Sequence, residues 1–135
     1  MAAAMALQKT VFERLNGDAA LTALLGENGI FDKNPSATDP PYLVFGDHTT
    51  AEWNADSVDG SQHDFSLEIW SSQNGRKQVI EIADAVITSL ADLTNTDAPY
   101  QLANLEHSST AITRENRNGF YLGVIRFRAA IEHAA

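Results

Sequence analysis

The sequence contains no cysteine, which excludes disulfide staples, thiolate metal sites and cysteine nucleophiles together. No apolar run approaches the roughly 20 residues that a membrane-spanning helix needs, so no membrane partner is expected. The start, MAAAMALQKTVFERL, has neither a basic leader nor a long apolar centre. It does not read as a secretory signal, and synthesis and assembly in the cytoplasm are expected. Lysine and arginine are missing from the whole interval between Lys33 and Arg76. That interval carries Asp39, Asp47, Glu52, Asp56, Asp59, Asp64 and Glu68. A block of this kind repels phosphate and disfavours sequence-specific DNA binding. It reads as a solvated acidic loop, or as a surface that meets a basic partner or must not adhere to nucleic acid.

What is present suits one domain over residues 1–135 with frayed termini: 44% hydrophobic and 20% charged residues and a net charge of −9. Leu7, Val11 and Leu15, with Phe12 beside them, recur at helical spacing, which predicts a helix over residues 4–16 ended by Asn16-Gly17. Asp18 is placed to cap a second short helix, AALTALL, which Gly26 stops. Ile30 to Asp32 and YLVFGDHTT read as strands separated by a proline-containing loop. Apolar residues on both faces of the second strand predict cover on both sides. A long, mobile hairpin loop is expected near residues 48–62, with Trp53 either packed at the strand end or left for a partner. Beyond it His63, Phe65, Leu67 and Ile69 alternate with Asp64, Ser66, Glu68 and Trp70. The stripe Val79, Ile82, Ala83, Val86, Leu90 and Leu93 predicts a helix over residues 75–93, capped by Ser72 or Asn74. Two strands follow, the first open to a bulge. In the second, Gly123 interrupts one face and signals a bulge or a close backbone approach. The expected fold class is α+β: an antiparallel or mixed sheet with an N-terminal helix pair and one long helix packed on one face.

No catalytic pattern emerges. The turn WSSQNGRKQ has a single glycine and no phosphate-loop motif, so it reads as a connection, with Arg76 and Lys77 at a helix start as a minor anion-attracting alternative. His48, His63 and His107 each adjoin an acid, but strand neighbours point to opposite faces and cannot orient one another. His63 reads as a satisfied residue at a strand rim, and His133 lies in a terminal tail. No HxH or HExxH spacing supports zinc, no GxSxG surrounds Ser108, and Asp56 and Asp59 lack a calcium-loop pattern. No catalytic residue, cofactor or metal is assigned. Charge asymmetry is more informative. Arg114, Arg117, Arg126 and Arg128 crowd the last quarter, whereas the middle is acidic. The two sets form either one solvated surface or two complementary patches for head-to-tail association.

The segments ALQKTVFERLNGDAALTALLG, IFDKNP, PPYLVFGDHTTAEWNADS, HDFSLEIWSSQNGRKQVIEIADAVITSL and LANLEHSSTAITRENRNGFYLGVIRFRAAIE occur in a characteristic order. In that order the chain resembles the tail-completion, or tail-terminator, family of long-tailed phages and phage-derived gene transfer agents. The resemblance implies a non-enzymatic ring, usually hexameric, at the head-proximal neck of the tail. Its partners would be further copies of itself, the tail-tube protein and a head–tail connector or stopper protein, with DNA passing through unread. Beside that resemblance, Trp53, Arg114, Arg117, Arg126 and Arg128 are candidate interface residues. Glu52, Asp56, Asp59 and Asp64 are candidates for an acidic lumen or loop. A tail-tube or other neck component, or a small anion-binding module, stands as the alternative.

Overall fold

The computed structural model describes residues 2–26, 28–33, 35, 38–52, 59–73, 75–94, 100–115 and 119–133. Three helices cover one face of a five-stranded sheet, in the order α1 (Ala2–Asn16), α2 (Ala19–Leu25), β1 (Ile30–Phe31), β2 (Tyr42–Glu52), β3 (Asp59–Ser71), α3 (Lys77–Leu90), β4 (Tyr100–Arg114) and β5 (Tyr121–His133). The strand order is β1-β2-β3-β5-β4. β1 runs parallel to β2, and every other pair is antiparallel, so the sheet is mixed. α3 carries the chain from β3 to β4, and β5 then returns between them.

Local chemistry sets the helix ends. The Leu21 N–H donates to Asp18 Oδ1 at 3.0 Å, which satisfies one of the free donors of the first turn of α2. That bond also holds the Asp18 carboxyl below its ordinary pKa. Gly26, at φ 82°, closes the other end and donates its N–H to Thr22. α3 departs from expectation. It starts at Lys77 behind Gly75 (φ 138°), and Arg76 holds the cap position with no side-chain bond to the helix. Ser72 does not cap it, and Asn74 lies outside the described residues. Ser71 Oγ instead accepts from the Gln73 N–H at 3.2 Å and donates to Gln78 at 2.5 Å, which ties the turn to the helix. The expected loop at 48–62 is also shorter than the sequence implied. β2 and β3 pair out to Glu52 and Ser61, an extension that the β-branched Thr49 and Thr50 favour. Residues 53–58 lie outside the described set.

The core joins Leu7, Val11 and Leu15 of α1 and Val79, Ile82, Val86 and Leu90 of α3 to the inner sheet face. That face presents Leu43, Phe65, Leu67, Ile69, Ile125, Phe127 and Ile131. Tyr42, Leu43 and Val44 are all buried, so β2 is covered on both faces there, as predicted. Gly123 is the close approach anticipated from sequence. It pairs in regular register with Ile69, and a Cβ on it would sit 2.5 Å from Val79 Cγ1. Gly123→Ala is therefore expected to cost about 1–3 kcal/mol by overpacking. Val79→Ala in the same chain should recover part of it, and urea midpoints of the unaltered chain and the two variants check both expectations.

Candidate functional site

A bulge in β2 brings together residues that simple alternation keeps apart. Phe45 pairs with Leu67 and His48 pairs with Phe65, so Gly46 and Asp47 together oppose Ser66. The Asp47 N–H donates to the buried Ser66 Oγ at 3.0 Å, which satisfies the backbone group that the bulge unpairs. A Cβ on Gly46 would collide with that hydroxyl. The extra residue turns His48 and Thr50 onto the helix-covered face, where strict alternation from Phe45 would have pointed them outward. An isolated glycine inside a strand pattern was the available signal.

The consequence is a polar chain across three strands. His48 Nε2 lies 2.8 Å from His63 Nδ1, and Thr50 Oγ1 lies 3.3 Å from the same nitrogen. On the other side of the ring, His63 Nε2 is 2.7 Å from Ser61 Oγ, which is 3.0 Å from His133 Nε2. With all three rings neutral, one proton lies in each contact and the N–H and O–H groups donate in a single direction along the chain. His63 is 0% exposed, so it is an interior residue and not the strand-rim histidine the sequence implied. Its place opposite Ala129 puts it in mid-sheet. His133 belongs to β5 and not to a tail. Burial, aided by the neighbouring imidazoles, lowers the His63 pKa to about 4, and burial lowers that of His48. Among the described residues no group of three or more His, Asp or Glu side chains is arranged to hold a metal ion. The chain ends at a cavity of about 570 Å³ between the start of α1 and the β2–β3 end of the sheet, with Ser61, His133 and Tyr100 in its walls.

Among the described residues, acidic and basic candidates meet at one point of the sheet. Arg128 and Asp64 are register partners on the outer sheet face, with Arg128 Nε 3.0 Å from Asp64 Oδ1. Their side chains are 53% and 49% exposed, so Arg128→Ala is expected to shift stability by less than about 1 kcal/mol, measurable by denaturant titration. Arg126 shares that face, is exposed, and forms no ion pair among the described residues. Arg114 lies at the far end of β4 opposite Tyr121, on the helix-side parity, so the arginines are divided between two faces. Glu52 and Asp59 flank the cavity, Glu52 three register positions and Asp59 five residues along the strands from the Asp64–Arg128 pair. Trp53, Asp56 and Arg117 lie outside the described residues.

No described helix is long and apolar enough to cross a membrane. No curated protein matches the sequence. The fold is similar to that of a chain in the virion of a native gene transfer agent particle. The two superpose with a TM-score of 0.84 at 25% identity over 97% of this chain and 98% of that one. The model of the family "Tail completion protein gp17" matches residues 9–132, and the chain belongs to that family.

Proposed function

We propose that this chain is a tail terminator: a structural protein that closes into a ring of six copies at the head-proximal end of a phage or gene-transfer-agent tail. There it stops growth of the tail tube and joins the tube to the head connector or stopper protein. It works by shape and contact, without making or breaking a bond, and DNA passes through the ring without being read. The family match over residues 9–132 carries this reading. Similarity to a virion chain along nearly the whole length supports a place in the particle tail, reached after assembly in the bacterial cytoplasm.

The sheet supports the same reading physically. β4 is a 15-residue strand at one edge, and only Leu102 on it is buried. Its two bulges, at Leu102/Asn104 and His107/Ser109, limit indiscriminate edge pairing while leaving the strand open to a specific neighbour. Arg126, which forms no ion pair among the described residues, is a cation for such contacts, and Glu52, Asp56 and Asp59 supply negative charge that would keep DNA from adhering within a lumen. Arg126→Glu is expected to weaken ring formation at least about tenfold while the monomer keeps its melting temperature. Light scattering with thermal unfolding checks this.

The direct test is assembly of particles without the chain. Tubes beyond normal length and unjoined heads are expected in micrographs. Tails of normal length joined to heads in its absence would overturn the proposal, and open-ended polymer of the purified chain would point instead to a tube component.

A further inference from the structure

Among the described residues only three large hydrophobic side chains are exposed: Met5 (74%), Phe12 (38%) and Ile80 (43%). Two lie on α1 and one on α3, at opposite margins of the helical layer. Met5 and Phe12 line a groove of about 480 Å³ with Asp32 and Phe45, over the β1–β2 margin. On α3, Ile87 faces β4, where it lines a smaller hollow with Leu105, His107 and Phe127. Ile80 is two helical turns earlier on the same flank. It follows Val79, which abuts Gly123, the register partner of Ile112 in β4.

Among the described residues the β4 margin lacks a helix of its own. α1 and α3 lie over the rest of the sheet, but on the inner face of β4 Leu105 and Ile112 are only half-buried and His107 and Thr110 are exposed. One side of the molecule therefore has a helix with an uncovered apolar flank, and the other has a partly apolar strand face without its helix. The stripes also match in charge. Met5, Lys9 and Phe12 recur at i, i+4 and i+7 on α1, and Ile80, Asp84 and Ile87 recur at the same spacing on α3. Each stripe places a charge between two apolar residues, and the signs are opposite. The Asp84 carboxylate makes no hydrogen bond or ion pair among the described residues.

We infer that the α1 flank Met5–Lys9–Phe12 docks on the α3 flank Ile80–Asp84–Ile87 of a second copy of this chain, head to tail. The two halves of the contact sit at opposite margins of one molecule, so they cannot meet within it. A heterologous contact of this kind leaves each copy with one free half and closes only when a ring is complete. It places α1 of one copy over the bare β4 face of the next and brings the open β4 edge beside the β1–β2 margin. The inference rests on the ring reading and adds to it the surface that joins the copies.

The absence of cysteine from the native chain makes the test clean. The chain carrying both Met5→Cys and Ile80→Cys is oxidised at high concentration, alone and on tail tubes from the same particle. A covalent ladder of several copies is expected, and no ladder from either single-cysteine variant. Lys9→Glu and Asp84→Lys should each weaken self-association at least about tenfold, and the double exchange should restore it. Circular dichroism verifies the fold of each variant. Self-association without a ladder, or exchange variants that associate normally, would overturn this interface and leave the terminator reading intact. Absence of self-association under both conditions would overturn both.

Discussion

Lowering the pH from 7 to 4 is expected to cost the folded state on the order of 3 kcal/mol through His63 alone. The sign follows from linkage. The folded pKa of His63, about 4, lies below its ordinary value of 6.5, so the unfolded chain binds the proton first. Stability is complete above the unfolded pKa and falls as the pH drops from 6.5 to 4, at up to about 1.4 kcal/mol per pH unit. Below pH 4 both states are protonated and the loss stops growing. His48 shifts in the same direction and adds to it. The physical cause is the geometry of the chain. A proton added to His63 makes a buried cation and turns an acceptor nitrogen into a donor that faces His48 or Ser61. Acidification also relieves the repulsion of a chain with net charge −9, so the informative quantity is a difference. His63→Gln keeps polar atoms in place and cannot titrate. The wild-type stability minus that of the variant should slope through pH 4–6.5 and be flat above it. Parallel profiles for the two proteins would refute the assignment. Asp18 does not confuse the reading, because its lowered pKa places its own loss below the ordinary carboxylate value of 3.8.

Leu67→Ala should be strongly destabilising, with an expected loss of about 2–5 kcal/mol. Leu67 is fully buried and stands mid-sheet between Phe45 on β2 and Ile125 on β5. Its side chain belongs to the cluster in which the apolar stripe of α3 meets the inner sheet face. Neighbours on paired strands cannot close over the space, so the lost contacts add a cavity cost to the transfer term. Ile80→Ala, on the exposed flank of α3, serves as the control and should stay within about 0.5 kcal/mol. Equilibrium unfolding in urea measures both. Equal losses at the two sites would mean that the core is not centred on this part of the sheet.

Most secondary elements and inward faces were legible in the residues, β2 beyond its bulge excepted. The stripes of α1 and α3, the Asp18 cap, the Gly26 stop and the alternation of β3 and β5 each rest on rules spanning a few neighbouring residues. The close approach at Gly123 was legible for the same reason, as a gap in an otherwise apolar face. The order of sequence segments carried the family.

Partnerships between distant residues were not legible. The pairing of Asp64 with Arg128 joins residues that the sequence placed in separate acidic and basic regions, and only strand register brings them together. The histidine chain needed more. It depends on the β2 bulge, the β3–β5 register and the return of β5 between β3 and β4. Periodicity along one strand contains none of these. The order of the elements, the inward faces of β3, β5 and α3, and the family are written in local spacing or in the order of segments; the inward face of β2 beyond its bulge is not. Tertiary structure alone decided which charges cancel, which histidines are buried and which margins lie bare, because those depend on pairings between residues far apart along the chain.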